Sequence, residues 1–436
     1  MLPRWTWRSG ACSRAPRGRA VVRVVLVNTR HFRGDGASTY TLNLGELLRS
    51  HGHEVAFFAM QDPRNLADPN SDLFVSPIDF AELNRAKSVV AGINVMKRSI
   101  YSWEARNNFG RLLDRVRPDV IHIQNLHGHI TPSIVTEGRR RRIRVVWTLH
   151  DYKLVCPNTH LLIDTTQATC EACSGGAFYQ AALRRCKKGS VLASLMATAE
   201  AYAHRWLRIQ SQVDHFIAPS AFLRHKVVEM SSLEAERISH LPYFLPEDAY
   251  RPARGLGEYL LFYGRVTAIK GVRTLVAAMR EVPSARLKIV GRVEESLREW
   301  LGGELPPNVE YLGPRFGQEL TELIGGARAV VVPSVWYENQ PFSILESFAA
   351  ARSVIASELG GMTELVPQRE RGLLVPPGDV AALAQAIRTV VAEPECVARW
   401  GEQAFRYARR EHAATPHYER LLTLYEGKGY GARNVR

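Results

Sequence analysis

Long apolar runs are absent from this 436-residue sequence. None approaches the roughly 18 consecutive apolar residues that a membrane-spanning helix needs, which excludes an integral helical membrane protein. Glycine and proline, at 32 and 23 residues, are too few for a collagen-like or low-complexity chain. The apolar and charged fractions, 46% and 23%, are typical of a globular protein. At about 100–200 residues per domain, the length predicts two or three domains.

Cysteine is scarce, but it is clustered. Four of the six cysteines, Cys156, Cys170, Cys173 and Cys186, fall in one short segment. Residues 1–20 lack the apolar core of a secretory signal, so we expect reduced thiols in the cytoplasm rather than a disulfide framework. One C-x2-C pair with two flanking cysteines predicts a structural Zn²⁺ site in an insertion over residues 151–188. Reduced, buried cysteines without metal are the alternative.

Acidic residues are absent before Asp35, whereas eight arginines precede it. A second basic cluster comprises Arg139, Arg140, Arg141, Arg142 and Arg144, and the net charge is +14. Residues 1–20 are predicted to be a basic, disordered tail. The rest of the chain is closer to neutral, which favours an enzyme with local basic patches over a nucleic-acid groove. Because anionic lipids attract such patches, we expect peripheral association with the cytoplasmic membrane face.

Short β-branched runs alternate with helical segments along the chain, which predicts an α/β protein with parallel sheets. The predicted strands are Val21–Asn28, Glu54–Ala59, Asp119–Gln124, Ile143–His150, Asp214–Ala218, Tyr259–Tyr263, Arg286–Val290, Val309–Leu312, Ala329–Val332, Val354–Ala356 and Gly372–Val375. A Pro- and Gly-rich stretch, Leu241–Gly257, reads as a linker. We therefore expect two Rossmann-like doubly wound domains, 21–245 and 257–395, around a central cleft, with C-terminal helices in 396–436 packing back on the first.

The segment YENQPFSILESFA places Glu338 and Glu346 just after a predicted strand. Pro341 suits the first turn of a helix, whose free N–H groups can face an anion. Two carboxylates there can accept hydrogen bonds from the hydroxyls of a sugar nucleotide. For Glu346 a capping box with Ser343 is the alternative, and it needs no ligand.

Three further segments follow predicted strands. In YGRVTAIKG, Arg265 and Lys270 either clamp a diphosphate or are solvated surface charges. The loop GDGAST only approximates a dinucleotide fingerprint, because Thr39 replaces the last glycine, but its backbone at Gly36 can approach a phosphate. In WTLHDY, His150 lies at the carboxyl end of a strand, where ligands bind in open α/β sheets. His122, His127 and His129 are interpreted as cleft-lining or internally hydrogen-bonded side chains.

Taken in order, these motifs resemble the family-4 retaining glycosyltransferases of the GT-B fold, over residues 21–427. The resemblance rests on GASTYTLNLGELLRSHGHEV, PDVIHIQN, TLHDY, YGRVTAIKG, KIVGR, PSVWYENQPFSILES, GGMTELV and LLVPPGD. It implies transfer of a sugar from a UDP- or GDP-sugar to a glycan or lipid-linked acceptor, with retention of configuration. The sequence has no D-x-D, which favours the metal-independent chemistry of this fold and no catalytic cofactor.

The resemblance also implies roles for individual residues. Arg265 and Lys270 would bind the donor diphosphate, and Glu346 the ribose. Glu338 would contact donor-sugar hydroxyls, and His150 would lie beside the anomeric carbon. The remaining donor contacts would be Pro341, Phe342 and Ser343 along the sugar and phosphate, Gly291 and Arg292 under the base, and Gly36 from the first domain. Asp35 departs from the family pattern, because a carboxylate there would repel a diphosphate.

Two other functions are compatible with parts of the sequence. The parallel sheets and the G-x-G loop suit an NAD(P)-dependent oxidoreductase, although the loop lies six residues beyond the strand end at Asn28. The charge and the cysteines suit a zinc-containing nucleic-acid-binding protein. Neither alternative uses Glu338, Arg265 and Lys270 together.

Overall fold

The computed structural model describes residues 20–77, 100–126, 128–303 and 305–427. Most of the tail predicted to be disordered, the candidate His127, and residues 428–436 lie outside these ranges. None of the helices within them is both long and apolar enough to cross a bilayer.

The N-terminal half is built on a six-stranded parallel sheet in the order β2-β1-β3-β4-β7-β8, with a small antiparallel hairpin, β5-β6, inserted after β4. Its strands are β1 (Arg23–Val27), β2 (Glu54–Phe58), β3 (Val120–Ile123), β4 (Arg144–Thr148), β5 (Leu162–Ile163), β6 (Ala168–Thr169), β7 (His215–Ala218) and β8 (Ile238–His240). Its helices are α1 (Gly36–Ser50), α2 (Trp103–Val116), α3 (Ser133–Arg140), α4 (Tyr179–Leu183), α5 (Val191–Trp206), α6 (Ile209–Gln212) and α7 (Ala221–Met230).

The C-terminal half repeats the design, with a parallel sheet in the order β11-β10-β9-β12-β13-β14. Its strands are β9 (Tyr259–Tyr263), β10 (Arg286–Val290), β11 (Val309–Gly313), β12 (Ala327–Val332), β13 (Ser353–Ser357) and β14 (Gly372–Val375). The helices that follow are α8 (Val272–Arg280), α9 (Glu295–Gly302), α10 (Gly317–Gly325), α11 (Phe342–Ala349), α12 (Met362–Leu365), α13 (Val380–Ala392), α14 (Pro394–Glu411) and α15 (Ala414–Tyr425).

The central strands are buried because helices cover both faces of each sheet, which is why they read as unbroken β-branched runs. In β1, four of the five residues are buried, and β13 is buried throughout. The two-sheet architecture predicted from the sequence is therefore confirmed. Two features escaped prediction: the short edge strand β8, and the β5-β6 hairpin.

The last two helices belong to different halves. α14 packs against α11 and β13 of the second sheet. The chain then crosses back, and α15 lies on the first sheet, where Tyr40 contacts His417 at 3.0 Å and His122 contacts Tyr425 at 2.7 Å between side-chain atoms. One apolar core is thus shared by α1, α15 and elements of the second sheet. This return helix ties the two halves together on either side of the cleft.

Candidate active site

The first component of the site is the turn after β9. Arg265 is exposed there, and Lys270 lies at the end of a short 3-10 turn, Ala268–Lys270. Gly271 follows with φ of 70°, and a Cβ at that position would lie 1.8 Å from the Pro333 carbonyl oxygen. Only glycine permits this approach. The turn therefore holds Lys270 close to the loop that follows β12.

That loop contains a buried carboxylate, Glu338, with 5% of its surface exposed. Its Oε1 accepts hydrogen bonds from the Ser334 hydroxyl at 2.8 Å and the Trp336 indole at 2.9 Å. It also accepts a charged hydrogen bond from the Lys270 ammonium. The two segments that the sequence singled out thus meet through an ion pair. All the bonds from these side chains go to one oxygen, Oε1.

The helix α11 begins immediately beyond this loop. Pro341 is its N-cap and makes no side-chain capping bond, so the first N–H groups of the helix, at Phe342 and Ser343, point out of its N-terminus. The expectation of a Ser343–Glu346 capping box is therefore wrong, because Ser343 is already inside the helix. The sequence also placed Pro341 in the first turn, and it lies one residue earlier.

Glu346 lies one turn further along α11, beside Tyr263 at the end of β9. The Tyr263 hydroxyl donates to the backbone oxygen of Ser343 at 2.8 Å. Burial raises the pKa of Glu346 to about 7, although a hydrogen bond with Tyr263 acts in the opposite direction. Glu346 is thus a buried carboxyl group whose pKa lies near neutrality, and it does not cap the helix.

The N-terminal half meets this site through α1. Gly36 is the first residue of α1, and a Cβ there would lie 3.2 Å from the Phe342 ring. Gly36 therefore faces the N-terminus of α11 across the cleft. Asp35 caps α1 by accepting from the Ser38 N–H at 2.8 Å, and it pairs with Arg30 at 2.6 Å. Burial acts to raise the pKa of Asp35, but these bonds outweigh it and the pKa is lowered. The expected repulsion of a diphosphate is thus offset by Arg30 and by the helix cap.

His150 lies between the two halves. Its Nδ1 is 2.6 Å from the Tyr243 hydroxyl and its Nε2 is 2.8 Å from Gln124 Oε1. Its backbone oxygen accepts from the Asn339 amide at 2.7 Å. The His150, Tyr243 and Phe342 rings form a continuous stack, with centroid separations of 5.5 and 5.2 Å. Because both ring nitrogens are hydrogen-bonded, His150 is positioned to hold the Tyr243 and Gln124 side chains in fixed orientations in the cleft.

Gly291 and Arg292 follow β10, next to the turn after β9. Gly291 has φ of 148°, and a Cβ there would lie 1.6 Å from the backbone oxygen of Gly264. The chain at this point is therefore packed backbone against backbone. The side chain of Arg292 is exposed. The proposed base contacts thus lie on the same edge of the sheet as Arg265.

The cysteine insertion touches the loop between β12 and α11, which contains Glu338. We call it the donor loop, because the family resemblance implies donor contacts there. The His160 ring is 5.0 Å from the Trp336 ring, and the Tyr337 hydroxyl donates to Glu171 Oε1 at 3.0 Å. All four cysteines are unpaired thiols. In the parts of the chain that the structure describes, no three His, Cys, Asp or Glu side chains are arranged to hold a metal ion. The zinc site predicted for these cysteines therefore stays a prediction.

His122 is fully buried and bonded to Tyr425 and to Thr148, each at 2.7 Å. Desolvation lowers its pKa to about 3, so it is a structural, neutral histidine.

The arginine cluster before β4 is largely paired. Arg139 is 3.3 Å from Asp214, and Arg141 bridges Glu137 and Asp114. Arg140 is 3.7 Å from Glu137 as well. Three of the five arginines of the cluster thus form ion pairs, and its positive charge is partly neutralised in the fold.

Sequence reasoning missed several residues that shape the site. Tyr243 and Gln340 link the halves, because the Gln340 side chain accepts the Tyr243 N–H. Tyr243 lies in the Pro-rich stretch interpreted as a linker, and nothing in that pattern indicates a stacking partner. Asn339 and Gln340 could have been predicted from the sequence. With Glu338 they form a run of three polar residues after a buried strand, which is typical of a ligand-binding loop.

Two family models match adjoining parts of the chain. The model described as Glycosyltransferase Family 4 matches residues 34–246, and the model described as Glycosyl transferases group 1 matches residues 257–393. Neither describes an oxidoreductase or a nucleic-acid-binding protein, so those two alternatives are set aside.

Among curated proteins, glycogen synthase of Mycobacterium tuberculosis is 33% identical over 165 residues, which cover 35% of this chain and 38% of the synthase. The chain spans less than two fifths of the length of the first curated relatives it matches. Among solved structures, sucrose-phosphate synthase from Thermosynechococcus elongatus has a TM-score of 0.68 at 20% identity, covering 93% of this chain and 98% of that one. HepE of Anabaena, in complex with UDP and glucose, has a TM-score of 0.63 at 14% identity, covering 93% and 100%. The two family models, which together match most of the chain, show that it belongs to glycosyltransferase family 4. The paired sheets and the solved neighbours show that it has the GT-B fold.

Proposed function

We propose that this protein transfers a glycosyl group from a UDP- or GDP-sugar to a glycan or lipid-linked acceptor, with retention of anomeric configuration. The observation that supports this best is the meeting of Lys270, Glu338 and the N-terminus of α11 at one edge of the cleft, opposite Gly36. Cations and free N–H groups there suit a diphosphate, and carboxylates suit sugar hydroxyls. The relation to HepE, solved with UDP-glucose, is consistent with a uridine nucleotide donor.

In this proposal, negative charge builds on the departing diphosphate as the bond to the anomeric carbon breaks. Arg265, Lys270 and the N–H groups of Phe342 and Ser343 stabilise that charge without rearranging, which is the usual source of the largest rate effect. The leaving phosphate oxygen takes the proton of the attacking acceptor hydroxyl on the same face of the sugar. No step requires a metal or another cofactor.

Glu338 orients the donor sugar in this scheme and does not attack it. Lys270, Ser334 and Trp336 all donate to Oε1. Among the described residues no comparable set of donors faces Oε2, which can accept a bond from a sugar hydroxyl. Glu346 receives the ribose hydroxyls. The His150 ring holds the Tyr243 hydroxyl, and the backbone oxygen of His150 holds the Asn339 side-chain amide, beside the anomeric carbon.

We also propose that the acceptor is met at the cytoplasmic face of a membrane, to which the protein binds peripherally. The net charge of +14 favours anionic lipids. The ion pairs of Arg139, Arg140 and Arg141 argue against that cluster as the contact surface, so the membrane contact lies elsewhere on the molecule.

The experiment is a donor screen followed by product analysis. Thermal unfolding is measured with UDP, GDP, ADP and their sugars, because a ligand at 100 times its Kd adds about 2.7 kcal/mol to stability. The donor that stabilises the protein is then incubated with candidate acceptors, and the product's anomeric configuration is read by NMR. An inverted product would contradict the proposed stereochemistry while leaving the transferase activity intact.

A further inference from the structure

Helix α5 has a buried face and, within the described part of the chain, an exposed apolar face. Ser194, Ala197, Thr198 and Ala201 form the buried face. A second face presents Val191, Leu195, Ala199, Tyr202 and Trp206, spaced three or four residues apart and all exposed. Residues at this spacing form one stripe along a helix. The stripe contains no charged side chain.

The segment that contains this stripe holds most of the large hydrophobic side chains that are exposed in the described chain. Of eleven large hydrophobic side chains that are exposed in the described residues, seven lie between residues 179 and 206. We call these seven the outer face: Tyr179, Leu183, Val191, Leu192, Leu195, Tyr202 and Trp206. Trp206 is the most exposed, at 83%. Apolar surface concentrated in this way marks an interaction site rather than ordinary surface variation.

The segment that carries the outer face is rich in basic residues. Residues 174–212 contain six lysines and arginines, namely Arg184, Arg185, Lys187, Lys188, Arg205 and Arg208. The segment has one acidic residue, Glu200, and its carboxylate is already bonded to the Lys153 ammonium at 2.8 Å. Residues 174–212 therefore carry an excess of positive charge.

We propose that the outer face of α4 and α5 binds the surface of an anionic lipid bilayer. Leucine, tyrosine and tryptophan beside lysines and arginines are the side chains with which helices lie in a membrane interface. A second copy of the chain is a poorer occupant, since a two-fold interface brings the same patch of both copies together and would oppose twelve cations. This inference rests on the proposed function, whose lipid-linked acceptor gives membrane contact its purpose.

The location of the outer face relates it to the site. α4 belongs to the same insertion as His160 and Glu171, which contact Trp336 and Tyr337 of the donor loop. A protein resting on this face would hold the acceptor-side half of the cleft near the lipid surface. The paired Arg139–Arg142 cluster has no part in the proposal.

The test is co-flotation with phosphatidylcholine vesicles that contain increasing fractions of phosphatidylglycerol. We expect binding to grow with phosphatidylglycerol and to fall with salt. A variant with Arg184→Gln, Arg185→Gln and Lys188→Gln should bind on the order of 10²-fold more weakly, from the usual contribution of each cation near a bilayer. Leu192→Ser with Trp206→Ser should also abolish binding, because it removes the inserted apolar groups.

Two matched controls make the test specific. Phe316→Ser removes an exposed aromatic ring from the C-terminal half, and Arg139→Gln with Arg140→Gln removes two arginines that form ion pairs in the cluster before β4. Both variants should float like the wild type. Outer-face variants that bind vesicles normally, or a concentration-dependent dimer that those variants abolish, would overturn the proposal. Stabilisation by nucleotide sugars is measured on the same preparations without vesicles. Its absence would count against the proposed function and not against the lipid-binding face.

Discussion

The Lys270 ammonium and the Glu338 carboxylate form an ion pair in a buried pocket at the edge of the cleft. Each is expected to bind a different part of the donor, so in the unliganded site the two groups hold each other in place. The diphosphate would then meet a lysine that is already oriented. Because Glu338 is buried, we expect the ion pair to contribute to the stability of the fold. Arg265 is exposed, so we expect no such contribution from it.

Replacing Lys270 and Arg265 by alanine should therefore give different results. Both variants should lose turnover on the order of 10²–10³-fold, because each removes a preorganised charge from the leaving group. Only Lys270→Ala should also unfold more easily, by about 3–5 kcal/mol, since it leaves a buried carboxylate without its cation. Steady-state kinetics and urea unfolding measure the two effects. A fully stable Lys270→Ala protein would contradict the importance of the pair for folding.

Glu338 and Glu346 should be distinguishable by ligand. Glu346→Gln should weaken both the free nucleoside diphosphate and the nucleotide sugar, because ribose is present in both. Glu338→Gln should weaken only the nucleotide sugar, relative to the wild type, because its partner is the sugar. Calorimetric titration of the two ligands against each variant measures this. Equal weakening of both ligands by Glu338→Gln would show that the assignment of the two carboxylates is incorrect.

The raised pKa of Glu346, about 7, predicts a pH dependence. Between its ordinary value of 4.5 and about 7, the folded protein holds one more proton at this site than the unfolded chain does. The contribution of Glu346 to stability therefore falls as pH rises through this window, and Glu346→Gln should remove that slope. If the carboxylate binds ribose, affinity for a UDP-sugar should rise from about pH 6 to about pH 8 in the wild type and stay flat in the variant. Titration with the UDP-sugar is suitable because its diphosphate diester keeps its charge over this range.

Zinc in the cysteine insertion stays a prediction. Cys173 and Cys186 belong to one buried cluster, and burial raises the pKa of Cys173 to about 12. Metal analysis of the purified protein should find close to one zinc per chain, and Cys170→Ser should lose it. Activity should then fall indirectly, through the His160 and Glu171 contacts to the donor loop. Metal-free wild-type protein with full activity and stability would exclude the site.

The strands were predictable because their burial on both faces leaves a continuous apolar signal. β8 was not, since Ile238–His240 is a three-residue edge strand with two polar members, and each strand of the β5-β6 hairpin is only two residues long. Motifs identified the residues that we propose for the donor side, but the Lys270–Glu338 pair joins segments 68 residues apart and only the fold shows it. The arginine cluster looked like unpaired surface charge in the sequence. One of its ion-pair partners, Asp214, lies about 70 residues further along the chain. Local periodicity carries no information about such contacts.

Nucleotide-dependent stabilisation tests the central claim most directly. Thermal unfolding of the wild type, Arg265→Ala and Phe316→Ser is followed with UDP, GDP, ADP and NADH at equal concentrations. The account predicts that a nucleoside diphosphate raises the Tm of the wild type and of Phe316→Ser, and raises that of Arg265→Ala much less. Stabilisation by NADH alone, or by no nucleoside diphosphate at all, would contradict it.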